Sequence, residues 1–427
     1  MILISKTYWA GAPWSFRERP RQAGLESLEL RADDFRRFRA LYWTPAGTPR
    51  PRLAVVCMHP RVDFTHHYSI PRLLAAGIGV LGANTRNPNN DLTTVHEEII
   101  LDVAAAVKWL REHRGAERVV LLGNSGGGSL AAFFQAQAMR APADRLTVTP
   151  AGTPTRLAHA TLIPADAMVY LSAHKGQGRI MNECIDPSVA EEDDPRATDP
   201  ALDMYDPRNG FRPPPQWSEY APEFVARYRA AQLDRVRRLD AHARALIAER
   251  AAATAESQAP GFAERPFAEQ QVVERRMSLE QVMVVYRTMA NLHYADNHLD
   301  PSPREYGSLV SERPDLMNLQ ALGFGRVCTP EAWLSTWSGL SSNADLIENL
   351  AAIPQPTLVV NAGRDKEIYP TVDARPIFLA VAAADKTFHE LPGARHYFEP
   401  AFGASEAPDV EAVMSLVVEW LRARFVE

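Results

Sequence analysis

Basic residues are outnumbered, cysteine is scarce and long apolar runs are missing. The 427-residue chain has a formal net charge of −6. Binding nucleic acid takes a surplus of lysine and arginine to neutralise phosphates, so no nucleic-acid partner is expected, and anionic membrane surfaces are disfavoured for the same reason. Cys57, Cys184 and Cys328 are too few and too scattered for a disulfide framework or a zinc site. No apolar run approaches the ~20 residues that span a bilayer. The opening "MILISKTYWAGAPWSFRERP" has no basic region ahead of its short apolar start. No signal peptide is therefore expected, and the expected location is cytoplasmic. Two histidine-bearing stretches, "THHY" (His66, His67) and "LHYADNHLD" (His293, Asp296, His298, Asp300), lack the ligand spacing of a common metal site. "HKGQGR" lacks the G-K-[ST] ending and following helix of a phosphate loop. Neither metal nor cofactor is expected. No motif speaks to oligomeric state.

What the chain does contain is alternation. "LESLEL" and "FRALYWTP" predict an antiparallel lead-in. "LAVVCMHP" (53–60) and "GIGVLGANTR" (77–86) are short apolar runs, the pattern of strands buried on both faces, and "RVVLLG", "DAMVYLS" (166–172), "PTLVVNAG" (356–363) and "KTFHELPG" also read as strands. Helical stretches lie between many of them. In "TVHEEIILDVAAAVKWLREHRG", Thr94 and Glu97 have the T-x-x-E spacing of a capping box. Ile99, Val103, Val107 and Leu110 repeat at helical period, and Gly115 is placed to stop the helix. Strand–helix alternation implies a mostly parallel sheet with helices on both faces.

Between residues 173 and 352 the pattern changes. An acidic, proline-rich stretch leads into Ala/Arg/Glu-rich segments that predict helices over about 222–256 and 266–295. The arginines of the first alternate with acidic residues and predict a solvated face. Met181, Tyr205, Tyr286, Trp333 and Trp337 are candidates for a pocket, or for the core of this region. The sheet pattern resumes at 356. The expected organisation is a core of 1–172 and 353–427, interrupted by a helical cap over 173–352.

The stretch "VVLLGNSGGGSLAAFF" runs from strand to helix through Gly123-Asn124-Ser125-Gly126-Gly127, a G-x-S-x-G. A serine on such a turn has its hydroxyl raised above the sheet, and the helix behind it presents free N–H groups to a developing negative charge. Close packing of strand on helix would also call for these glycines. A serine nucleophile needs a base, and the base an orienting acid.

Here the chain resembles the α/β-hydrolase family, over roughly residues 25–172 and 352–425. The resemblance implies an eight-stranded sheet and a triad in the order Ser125, Asp365, His396. Asp365 stands just past a strand in "NAGRD", and His396 just past the next in "LPGARH", 31 residues on. Glu367 or Asp373 could take the place of Asp365, while His389 lies inside a strand and is a poorer base. The family's oxyanion hole would use the N–H of Gly126 and a second N–H from the loop after "LAVVCMH". That loop reads His59-Pro60-Arg61 where the family has His-Gly. Proline has no N–H, so Arg61 becomes the expected second donor. Arg86 should reach the same sheet edge and could hold a substrate carboxylate, with loop ion pairs to Asp63, Asp91 or Glu97 the other reading for both arginines. The resemblance implies a serine hydrolase acting on a carboxylic ester of a small or medium organic molecule. The same triad could serve a ketone carbon–carbon bond, a lactone, an amide or a thioester. A non-catalytic ligand-binding member of the fold is a further alternative. Epoxide hydrolases and dehalogenases of this fold carry aspartate where Ser125 stands.

Overall fold

A strand whose side chains are all apolar needs cover on both faces. In the computed structural model, which describes residues 22–401, 403, 404 and 406–426, the apolar runs take that position. The N-terminal stretch behind the signal-peptide expectation lies outside the described residues. Eight strands form one sheet: β1 (Gly24–Arg31), β2 (Arg37–Thr44), β3 (Leu53–Met58), β4 (Gly79–Ala83), β5 (Arg118–Asn124), β6 (Ala167–Leu171), β7 (Thr357–Ala362) and β8 (Lys386–Leu391). Their spatial order is β1-β2-β4-β3-β5-β6-β7-β8. β2 pairs antiparallel with β1 and β4, and all other pairs are parallel. This is the eight-stranded, mostly parallel sheet of the α/β-hydrolase fold.

Alternate residues of β3 feed two separate cores. Leu53, Val55 and Cys57 face a cluster that includes α1 (Ile70–Ala75) and the terminal helix Pro408–Phe425. Ala54, Val56 and Met58 face the cluster that includes α2 (His96–Arg114) and α3 (Gly126–Ala138). Each fully buried valine or leucine contributes about 1.5–3 kcal/mol over its exposed state.

Ile99, Val103, Val107 and Leu110 of α2 are buried as their period predicts, and Gly115 ends the helix at φ +66°. The capping box does not form, because a local carbonyl takes the Thr94 hydroxyl and tertiary partners take the Glu97 carboxylate. Helix α2 begins after Val95, Thr94 Oγ1 donates to the Asn90 carbonyl, and the Glu97 carboxylate accepts from Ser335 and Asn343.

Between β6 and β7 the chain leaves the sheet. This insertion holds α4 (Gln177–Cys184), α5 (Pro222–Ser257) and α6 (Phe267–Ser278), with long irregular runs around them. The helix expected to 295 stops at Ser278. Beyond it the β-branched "VMVVY" is extended, and Met283–Val284 pairs with Val327–Cys328. Met283 and Val285 pack with Val236, Leu239, Trp333 and Trp337. The expected solvated face of α5 is also broken: Arg235 is wholly buried and bonds the Glu192 carboxylate through two nitrogens, at 2.8 and 2.6 Å. The insertion is tied to the core at the carboxyl edge of the sheet. Asp300 accepts from the N–H groups of Thr371 and Val372 beyond β7, and His96 N donates to Ser335 Oγ. Among the described residues no helix is long and apolar enough to cross a membrane.

Candidate active site

β5 ends at Asn124 and α3 begins at Gly126, leaving Ser125 to make the bend at φ +54° and ψ −127°. For a residue with a side chain that backbone costs about 1–3 kcal/mol. It is held by Ser125 N donating to Leu171 O (3.2 Å) and by Asn124, whose Nδ2 donates to Leu171 O (2.7 Å) and whose Oδ1 accepts from Tyr68 (2.9 Å). Packing accounts for the glycines: a Cβ on Gly123 would lie 2.5 Å from Gly128 Cα, and one on Gly127 2.6 Å from Met58 O. It does not account for the serine. A strained position that carries a side chain, where glycine would be free of strain, points to use of that side chain.

Asp365 follows β7 and His396 follows β8, so both arrive at the sheet edge that carries Ser125. His396 Nδ1 and Asp365 Oδ2 are 2.7 Å apart, and both side chains are fully buried. Asp365 Oδ1 accepts from the N–H groups of Glu367 (2.8 Å) and Ile368 (3.1 Å), which fixes the carboxylate. Of the rival acids, Asp373 pairs with Lys175 at 2.8 Å. Glu367 lies at the other ring nitrogen, with Oε2 3.9 Å from His396 Nε2. That Nε2 has no hydrogen-bond partner among the described residues. His389 stays within β8.

Burial opposes a charge on His396, but Asp365, with help from Glu367 and Glu399, outweighs it and lifts the imidazole to about 9. Burial pushes the Glu367 carboxyl up, and the Glu399 carboxyl to about 7. Burial also raises the Tyr397 phenol, an effect partly offset by a hydrogen bond with Ser125. Ser125, His59, His174, Glu367 and Tyr397 line one cavity with side chains of the insertion, among them Phe324 and Trp337. Its volume is ≈ 30 Å³, room for one or two water-sized groups.

Neither arginine has the role the resemblance implied, although Arg61 lines the cavity that holds Ser125 and makes the ion pair with Asp91 that was its other reading. Arg86 is bound by Asp102, at 2.6 and 3.0 Å, and by Asp34, so two carboxylates already meet the charge that was expected to hold a substrate carboxylate. Arg61 pairs with Asp91 at 2.5 Å and lies over the rings of Phe324 and Trp337. Its N–H, expected to face an oxyanion, donates instead to His59 Nδ1 (3.1 Å). Of the insertion's aromatic and methionine side chains, Trp337 reaches the cavity, while Met181 and Trp333 are buried in the insertion's own core. His174 and Tyr397 went unread in the sequence. Each follows within three residues of a site element, the end of β6 or His396, which was the one signal available.

No protein-family model matches the chain, and no curated protein matches it. Among solved structures it is similar to one titled as DcsB in complex with its substrate analogue, at 13% identity and a TM-score of 0.47, covering 94% of this chain and 99% of that one. It is also similar to Est1E from Butyrivibrio proteoclasticus (12%, 0.42, 92% and 98%) and to carboxyl esterase 2 from the mycorrhizal fungus Tuber melanosporum (13%, 0.42, 98% and 98%). Identity this low says nothing of substrate or mechanism, which rest on the side chains themselves.

Proposed function

We propose that the protein is a serine hydrolase that cleaves carboxylic esters of small or medium organic molecules through an acyl-enzyme, with Ser125 as nucleophile, His396 as base and Asp365 as its orienting acid. The observation that carries this is the buried Asp365–His396 pair, whose remaining ring nitrogen is unpartnered beside the cavity that holds the strained Ser125.

With Nδ1–H donating to Asp365, the neutral ring keeps its lone pair on Nε2. Ser125 turns from Tyr397 to His396 as the ester enters, and Nε2 takes the Oγ proton while Oγ bonds to the carbonyl carbon. The resulting oxyanion is met by the Gly126 N–H, one of the N–H groups the first turn of α3 leaves without an acceptor. Collapse expels the alcohol, which receives the proton from Nε2. Water, deprotonated by the same nitrogen, then releases the acid. The insertion over 173–352 serves as the cap. The cavity is smaller than an ester, so its side chains give way when substrate enters.

A fluorophosphonate probe tests the assignment. It should label the wild-type chain on the peptide that contains Ser125, as read by mass spectrometry. Labelling elsewhere, or none, would remove Ser125 from the mechanism.

The pH profile tests His396. Only the neutral imidazole is a base, so kcat/KM should rise with pH until about 9, the value to which His396 is lifted. Glu367 contributes to that lift by favouring the charged ring. Glu367→Gln should therefore lower the pKa and move the rising limb toward lower pH, by about one unit. An unmoved limb would show that Glu367 does not act on the base.

A further inference from the structure

We propose that His59 and His174 donate their Nε2–H groups to the carbonyl oxygen of the substrate as it gains charge, completing with Gly126 N–H an oxyanion hole built largely from side chains. The inference rests on the acyl-transfer reading above and supplies the donors that Arg61 does not.

The tautomers are set by backbone. Both the Arg61 and Val62 N–H groups donate to His59 Nδ1, at 3.1 and 2.9 Å. A nitrogen that accepts these bonds holds a lone pair, so the proton of the neutral ring is on Nε2. The Gly176 N–H donates to His174 Nδ1 at 3.0 Å, with the same consequence. The proline that breaks the family's His-Gly pattern thus sits in a loop whose N–H groups orient an imidazole rather than face the substrate.

Position follows from the sheet. β3 and β6 are the two strands that flank β5. His59 is the first residue after β3, and His174 follows shortly after β6, so the rings stand on either side of the nucleophile turn. An ideal Cβ on Gly126 would lie 2.8 Å from His59 Nε2 and 3.0 Å from His174 Nε2. Any side chain there would strike both rings, which accounts for glycine at 126. Both rings line the cavity with Ser125, and the loop N–H groups bond them at Nδ1, which leaves Nε2 as the nitrogen nearest the Gly126 position.

Charge keeps them in the role of donors. Burial, reinforced by Arg61 and His396, holds His59 well below its usual range and His174 at about 3. Both stay neutral at working pH. They polarise the carbonyl and do not compete with His396 as base, since their Nε2 lone pair is replaced by a proton.

Asparagine provides a discriminating substitution. Its Oδ1 can take the place of Nδ1 as acceptor for the loop N–H groups, but nothing replaces Nε2–H. A purely structural histidine would therefore be rescued by His59→Asn or His174→Asn. As oxyanion donors, each variant should instead lower kcat for an activated ester by about 10²–10³-fold, with KM within about threefold. Each should weaken by a similar factor a trifluoromethyl ketone, which forms a hemiketal oxyanion on Ser125. Retained kcat and inhibitor affinity would overturn the inference and leave the triad standing. A wild-type protein that neither hydrolyses the ester nor takes the fluorophosphonate would instead overturn the acyl-transfer reading. ¹⁵N-histidine NMR of the wild type decides independently of any variant's folding. His59 and His174 should show the Nε2–H tautomer from pH 6 to 8; an Nδ1–H tautomer or titration in that window would refute the proposal.

Discussion

Ser125→Ala should lower kcat for an activated ester by about 10⁶-fold, leaving only what the site provides without its nucleophile. The loss is large because no other hydroxyl can take over. Tyr397 lies against Ser125, but burial raises its phenol well above neutrality, so it stays protonated and a poor nucleophile. The fold should survive. Alanine keeps the β-carbon at φ +54°, so the strain is unchanged, and the Ser125 backbone bonds to Leu171, Gly128 and His174 involve no side-chain atom. A thermal midpoint within a few degrees of wild type, together with the lost rate, would separate chemistry from stability. A variant within 100-fold of wild type would mean that another group attacks.

Asp365→Asn should lower kcat by about 10⁴-fold. The carboxylate has two tasks at once: Oδ1 accepts two backbone N–H groups, and Oδ2 accepts the His396 Nδ1–H. The asparagine amide can keep only one of them in the same geometry. Its oxygen will stay with the backbone donors, which turns the NH₂ toward His396 Nδ1. The ring must then accept at Nδ1 and carry its proton on Nε2, where it can no longer take one from Ser125. The loss of charge also removes the main force that raises the His396 pKa. Glu367 cannot compensate, since it approaches the opposite nitrogen. Steady-state kinetics across pH will distinguish the cases. A wrong tautomer is not repaired at any pH, whereas a mere pKa change would be. A loss below tenfold at the optimum would place the orienting acid elsewhere.

The parts of the fold that were legible are those in which neighbours in sequence are neighbours in space. The apolar runs could only be strands covered on both sides. The period of Ile99, Val103, Val107 and Leu110 marked one buried helix face, and Gly115 closed it. The T-x-x-E at Thr94 failed because Glu97 has partners at Ser335 and Asn343, more than 230 residues away. The helix expected over 266–295 formed only as far as Ser278, beyond which a β-branched run packs against α5 and Trp333.

By itself, then, the sequence determined the succession of strands along the chain and the glycine turn around Ser125, because strand ends and turn residues are local signals, while the succession Ser125, Asp365, His396 came from the resemblance to α/β-hydrolases. Tertiary structure alone decided what each polar group does with its hydrogen bonds. It gave Arg86 to Asp34 and Asp102, turned the Arg61 N–H onto His59, and set His174 from β6 opposite His59 from β3. Those outcomes depend on which distant donor meets which acceptor once water is excluded, and only the closed sheet edge brings them together.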